Sequence, residues 1–242
     1  MKRKGLVAGV IQARMGSTRL PGKSLEKVYK NYSLFELVLL RTKAAKKLDM
    51  VILATSDHKN CDPLEQMAKS LGAYTVRGSE TDVLSRFVEA IEHFRPTFVV
   101  RVCADNPLIS SEEIDRLIDY FKSNNLDYAT NNTTECGLPD GLGCEIVKAE
   151  VLTEISRKTY ANHYREHVTN YITSHPDRYS VGRLLAPEHL SFPKAKLDVD
   201  TKEDLRKMRA FCAGLPKGSA PYWSTFEIIE HAKDIFGSEE IS

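Results

Sequence analysis

Short apolar runs alternate with segments of helical periodicity along the first half of the chain. Residues 6–11 are continuously apolar, the pattern of a strand covered on both faces. Residues 51–54, 73–76 and 98–102 read as further strands. Between them the pattern predicts helices. One starts after Ser33, where Ser33 and Glu36 have the spacing of a capping box, and another is opened by Asp62-Pro63 with Glu65 and closed by Leu71-Gly72. A third covers 83–94, and Ser110 with Glu113 caps a fourth. Strand, helix and strand in repetition imply parallel pairing through right-handed crossovers. The expected fold class is therefore α/β, a doubly wound, mostly parallel sheet. Ligands of such sheets lie beyond the carboxyl ends of the strands, here at the loops 12–23, 55–58 and 104–108.

From about Tyr128 the alternation loosens. Gly137, Gly141 and Gly143 lead to Glu145-Ile146-Val147, followed by predicted helices at 150–158 and 164–174. Residues 179–185 and 195–199 read as strands, and Thr201 with Asp204 and Ser224 with Glu227 cap the last two helices. The chain, 1–242, is expected to form one domain in which 128–185 is an inserted segment joining two core strands without belonging to the sheet.

Charge and cysteine usage narrow the function classes. Lys and Arg number 34 against 33 Asp and Glu, a net charge of +1, so no global basic field draws the chain to nucleic acid or to an anionic membrane. Any anion must be held by a local cluster. Five cysteines, odd in number and without CxxC spacing, fit reduced thiols better than a disulfide framework or a zinc site. The basic start before an apolar run resembles a signal peptide, but Gln12 and Arg14 end that run without a cleavage site, so it reads as a buried strand. No apolar run approaches the roughly 20 residues that span a bilayer. The expected location is cytoplasmic.

Three segments carry candidate chemistry. The first, Arg14-Met15-Gly16-Ser17-Thr18-Arg19-Leu20-Pro21-Gly22-Lys23, gathers three cations, two hydroxyls and two glycines into ten positions after a strand. Gly16 lets the backbone approach a ligand, and Arg14, Arg19 and Lys23 can neutralise several phosphate charges. It is not a Walker A loop, because GxxxxGK[ST] is absent. The second is Asp105 in Ala104-Asp105-Asn106-Pro107, just past a strand, where a carboxylate can hold magnesium or simply cap a turn. The third is Asp198-Val199-Asp200-Thr201. With Leu197 and Val199 toward the core, the two aspartates share the other face, and two close carboxylates call for a cation between them. Asp200 or Thr201 can also cap the following helix.

QARMGSTRLPGK, the Asp-Asn-Pro-Leu loop and the late DVDTKEDL together resemble the cytidylyltransferase family of CMP-Kdo and CMP-sialic acid synthetases. The likeness covers most of the chain and is strongest to the branch named for spore coat polysaccharide biosynthesis. It implies a nucleotide-diphospho-sugar transferase-like fold and transfer of CMP from CTP to an acidic sugar or phosphorylated metabolite, with Mg2+ as cofactor. It implies that the nucleotide lies on Ala13, Arg14, Gly16, Ser17, Arg19 and Lys23, with the cytidine near Arg77, Ser79 and Asp82. Asp105, Asp198 and Asp200 correspond to the metal-binding region, and Arg14, Lys23, Asp105 and Asp200 are expected to carry catalysis. Asp140, His163, Arg165, Glu166 and His167 resemble that branch's substrate segments. His163 and His167 also read as the polar face of a helix whose Tyr164, Val168, Tyr171 and Ile172 pack inward. Relatives of this fold pair through an insertion after the metal-binding loop, so a homodimer through 128–185 is expected. Gln12 stands where the Kdo and sialic acid enzymes carry Pro, and Cys103-Ala104 replaces a polar residue plus Gly.

Two other classes compete. Asp198-Val199-Asp200 spells the DxD of metal-dependent glycosyltransferases, although it lies late in the chain and leaves the basic loop without a duty. A non-catalytic nucleotide-binding module is the other, set against the intact Arg19, Lys23, Asp105 and Asp200.

Overall fold

The computed structural model describes residues 5–237, so the basic residues 2–4 lie outside the described residues. In chain order the strands are β1 (Val7–Gln12), β2 (Lys27–Tyr29), β3 (Tyr32–Ser33), β4 (Met50–Ser56), β5 (Tyr74–Gly78), β6 (Phe98–Cys103), β7 (Tyr128–Thr130), β8 (Glu145–Lys148) and β9 (Val181–Arg183). The helices are α1 (Leu34–Lys43), α2 (Asp62–Ser70), α3 (Val83–Phe94), α4 (Ser111–Ser123), α5 (Ala149–Lys158), α6 (Asn162–Glu166), α7 (Asn170–Thr173), α8 (Lys202–Gly214) and α9 (Thr225–Phe236). Seven strands form one sheet in the order β5-β4-β1-β6-β8-β7-β9, and β2 and β3 pair separately. β1 lies parallel between β4 and β6, β4 is parallel to β5, and β8 runs antiparallel to both β6 and β7. The doubly wound, mostly parallel architecture is as predicted.

The apolar run of β1 is explained by its two covered faces. Val7 and Ile11 enter one core cluster with α1 and α4, while Ala8 and Val10 enter another with α3 and α5. Each fully buried Val or Ile contributes about 1.5–3 kcal/mol, so no position from Val7 to Ile11 favours a polar residue. A third cluster lies behind the carboxyl edge, where β2, β3, α8 and α9 surround Leu197 and Val199. Trp223 belongs to it, 2% exposed, edge-on to Tyr29 at 5.0 Å, and donating from Nε1 to the Pro216 carbonyl at 2.8 Å. The buried Arg41 donates to the carbonyls of Ile109 at 2.9 Å and Pro221 at 2.8 Å, which joins α1 to the loop after β6 and to the segment before α9. Among the described residues, no helix is long and apolar enough to cross a membrane.

Three expectations are corrected. Residues 128–185 do not stand outside the sheet: they supply β7, β8 and β9, with Tyr128, Ala129, Ile146 and Val147 buried. The helix expected at 164–174 is broken into α6 and α7 at His167, whose φ of −100° and ψ of 70° leave the helical region. The break follows tertiary demand, since the fully buried Val168 and Thr169 turn inward and the Thr169 hydroxyl reaches Glu145 at 2.8 Å. The strand expected at 195–199 forms no ladder: it meets residues 139–141 in a single bridge, Asp140 to Lys196. Gly141, at φ 95°, permits this approach, because a Cβ there would stand 2.6 Å from the Leu197 carbonyl oxygen.

Candidate active site

The loop after β1 turns back on itself through Gly22, which is in the left-handed region at φ 76°, and its N–H donates to the Met15 carbonyl at 3.1 Å. Leu20, 5% exposed, anchors the loop in the third core cluster. This return aims Lys23 across the carboxyl edge of the sheet. Its ammonium lies 3.2 Å from Asp105 Oδ2 and 3.1 Å from Asp200 Oδ1, and it donates to the Val199 carbonyl at 2.7 Å. Arg19 takes the other oxygen of Asp200 at 2.8 Å. Backbone bonds fix both carboxylates: the Val199 N–H donates to the Asp105 carbonyl at 2.9 Å, and the N–H groups of Asp200 and Thr201 donate to Asp204 in the capping box of α8.

A polar cleft of about 260 Å³ opens over these groups. Its walls bring together Ala13, Arg14, Ser17, Arg19, Lys23, Asp105 and Asp200 from the expected set, joined by Glu166 and His167. Arg14 Nη1 donates to the Glu80 carbonyl at 2.6 Å, and its guanidinium faces the carboxylates of Glu80 and Glu166, each at 3.8 Å. Gly16 sits directly under Glu80, where a Cβ would come within 2.2 Å of Oε1. A larger hollow of about 650 Å³ between α3 and α5, lined by Arg95, Glu150, Glu154 and Arg157, lies away from the basic loop and the aspartates.

Other expected residues are placed elsewhere. Arg77 turns to α2, bonding Asp62 at 2.6 Å and Glu65 at 2.7 Å, and these acids hold its guanidinium pKa above its ordinary value. Ser79 and Asp82 serve the start of α3: the Ser79 hydroxyl accepts from the Asp82 N–H at 3.1 Å, and Asp82 accepts from the Ser85 N–H at 2.9 Å. Asp82 also binds Arg165 Nε at 2.8 Å, so an expected nucleotide contact and an expected substrate contact satisfy each other. Asp140 lines a separate hollow with Thr133, Leu138 and Pro193. His163 is exposed and meets Asn170 at 3.2 Å, outside the cleft. Tyr164, Val168, Tyr171 and Ile172 do pack inward or partly inward.

Asp198 does not join Asp200. Its Oδ1 is buried without a hydrogen-bond partner, 3.4 Å from the Lys196 ammonium, and Lys196 is shared with Asp204 at 3.0 Å. Burial pushes the Asp198 carboxyl up to about 6, the nearby Asp140 and Asp200 add to the rise, and Lys196 opposes it. Leu197 and Val199 face the core as expected, with Asp198 and Asp200 on the other side, but the two carboxylates take different partners, Lys196 for Asp198 and Lys23 with Arg19 for Asp200. Among the described residues no group of three or more His, Cys, Asp or Glu side chains can hold a metal. Two hard carboxylates converging on one ammonium do fit Mg2+, which takes one or two carboxylates and fills its shell with phosphate oxygens and water.

Gln12, Arg86, Arg101 and Cys103 are among the cleft residues to which the sequence assigned no site role. Arg101 donates to Gln12 Oε1 at 2.9 Å and pairs with Glu145, which also accepts from Tyr128 and Thr169. Burial raises the Glu145 carboxyl, but the Arg101 guanidinium and these hydrogen bonds outweigh it and hold the pKa below its ordinary value. Arg86 is 2% exposed, and its Nε and Nη1 have no hydrogen-bond partner. The available signal was a lone cation on the apolar face of α3, among Val83, Phe87 and Ala90.

The model of the family described as cytidylyltransferase matches residues 8–239. The chain belongs to the cytidylyltransferase family. It is accordingly a nucleotidyltransferase. This cytidylyltransferase is 38% identical over 225 residues to the Bacillus subtilis spore coat polysaccharide biosynthesis protein SpsF, covering 91% of each chain. It is 35% identical over 125 residues to the 3-deoxy-manno-octulosonate cytidylyltransferase of Thermodesulfovibrio yellowstonii, over 48% of each. A cytidylyltransferase structure from Leptospira borgpetersenii superposes with a TM-score of 0.87 at 26% identity, covering 96% of this chain and 95% of the other.

Proposed function

We propose that the protein transfers CMP from CTP to an acidic sugar or a related phosphorylated metabolite, releasing pyrophosphate, as a step toward a cell-surface polysaccharide. The observation that carries this reading is the convergence of Lys23, Arg19, Asp105 and Asp200 at the carboxyl edge of the sheet. The kinship with a spore coat polysaccharide protein and with a 3-deoxy-manno-octulosonate cytidylyltransferase supports the chemical class.

Arg14, Arg19 and Lys23 grip the β- and γ-phosphates and neutralise the charge that builds on the leaving pyrophosphate. Asp105 and Asp200 would hold Mg2+, which when bound would supply charge neutralisation and orientation to the phosphates. An oxygen of the acceptor forms the new bond to the α-phosphorus, and the bond to the bridging oxygen breaks, so pyrophosphate departs with the electron pair. Cys103 in the cleft is no rival nucleophile: burial pushes its thiol up to about 12. Glu166 and His167, on the far wall, face the acceptor. The glycosyltransferase alternative loses its main support, since only Asp200 of the DxD lines the cleft.

We also propose that the active form is a homodimer paired through 128–185, where Tyr160 is 86% and Leu185 62% exposed. Light scattering at micromolar concentration checks it: full activity at the monomer mass of 27.3 kDa ends that proposal.

The functional test is incubation with CTP, Mg2+ and a panel of sugar acids and phosphorylated metabolites, read by pyrophosphate release. Asp105→Asn and Asp200→Asn should each fold and lose about 100-fold or more in turnover. Failure of every acceptor, or cleavage of nucleotide-sugars in place of CTP, overturns the reading.

A further inference from the structure

The cations meant for the triphosphate are, in the free protein, already bound to the carboxylates meant for the metal. The Lys23 ammonium has three N–H bonds and three acceptors, Asp105 at 3.2 Å, Asp200 at 3.1 Å and the Val199 carbonyl at 2.7 Å, so it is saturated. Arg19 occupies the remaining oxygen of Asp200 at 2.8 Å. Two negative charges are thus balanced by two positive ones from a single loop.

From this we infer that Lys23 is an internal surrogate for the metal, holding the Asp105–Asp200 pair until the triphosphate draws it away. The inference rests on the proposed cytidylyl transfer, because it is the triphosphate that supplies the alternative partner. Mg2+ bonds its oxygen ligands at about 2.0–2.1 Å, closer to the carboxylates than these cations now lie. Lys23 is 12% exposed, so an ammonium and a divalent ion beside the same carboxylates repel with little screening. Both cannot be bound there at full strength. Once phosphates take Lys23 and Arg19, however, Asp105 and Asp200 are left as two uncompensated carboxylates, which strengthens their hold on a divalent cation. Every charge keeps a partner before and after the exchange, and only the pairing changes.

The exchange predicts positive linkage between metal and nucleotide, and linkage is reciprocal. Arg19, 64% exposed, is free to swing to a phosphate. Lys23, one residue past the turn at Gly22, already lines the cleft. The protein should therefore bind a divalent ion weakly alone and tightly together with the triphosphate.

The test uses Mn2+ and no nucleotide, reading free Mn2+ by its electron paramagnetic resonance signal. Lys23→Met should bind Mn2+ roughly tenfold more tightly than the unaltered protein, and the exposed Arg19→Met about threefold more tightly. Adding Asp200→Asn to Lys23→Met should abolish the gain. Unchanged or weaker binding by Lys23→Met, or a gain that survives Asp200→Asn, overturns the inference. If Lys23→Met does not fold, Arg19→Met decides by the same criterion. Because no nucleotide is present, the result stands apart from pyrophosphate release: an intact exchange without CTP turnover would sink the functional reading alone.

Discussion

Arg165 reaches across 83 positions of sequence to Asp82, its Nε 2.8 Å from Oδ2, and so fastens α6 to the first turn of α3. The same guanidinium donates to the Ser156 carbonyl at 2.9 Å. Neither side chain lines the cleft, but Glu166 and His167, the next two residues, do. Arg165 is thus a positioning residue for the far wall. Arg165→Met should cost about 1–2 kcal/mol of local stability, visible as roughly tenfold faster amide exchange in 162–173. KM for the acceptor should rise more than KM for CTP. Equal changes in the two, with unchanged exchange, would refute the latch.

The exposed Arg19 should matter for charge rather than for fold. Arg19→Ala is expected to weaken CTP about tenfold more than CMP, because only the triphosphate needs that many cations. Calorimetric titration of the two nucleotides decides the point; equal losses would remove the β- and γ-phosphates from this loop.

Arg86 sets function against stability. A buried guanidinium with two unpartnered donors destabilises the free protein, and replacing such a group with an apolar one often stabilises by about 1–4 kcal/mol. Arg86→Met should raise Tm by several degrees while weakening nucleotide binding about tenfold. A lower Tm with unaltered binding would make Arg86 purely structural.

The Arg101–Glu145 pair gives an acid dependence of defined sign. The folded protein holds the Glu145 carboxyl below its ordinary value of 4.5, so the pair's stabilisation is present above that pH and lost as pH falls through the folded value. Glu145→Gln should cost about 3–5 kcal/mol near neutral pH, because Arg101 is left buried and unpaired. It should also flatten the stability profile below pH 4.5. Denaturant midpoints measured across pH test both halves.

Local signals were legible and long-range ones were not. The bounds of α3 and the capping boxes at Ser33, Thr201 and Ser224 follow from residues within one helical turn of each other. The basic loop and the two cleft aspartates were readable for a related reason: position after a strand already puts them at the binding edge. The ion pairs of Arg77 and Asp82 were hidden because their partners, Glu65 and Arg165, lie 12 and 83 positions away and leave no mark on the local pattern. The break between α6 and α7 was hidden likewise, since Thr169 leaves the helix for Glu145, 24 positions distant. Residues 195–199 have a strand's alternation, with Ala195, Leu197 and Val199 buried, but no second strand extends the single bridge at Lys196 into a ladder.

Trp223 is the single tryptophan of the chain, and it lies not against the sheet but in the cluster that backs Leu197 and Val199. Intrinsic emission excited at the red edge therefore comes from one half of the molecule, the half that presents Asp200. The sheet core formed by β1, β4 and β6 is spectrally silent under the same excitation. A fluorescence trace and a far-ultraviolet dichroism trace consequently view different parts of this protein, and the interval between them measures how independently the aspartate-bearing half can loosen.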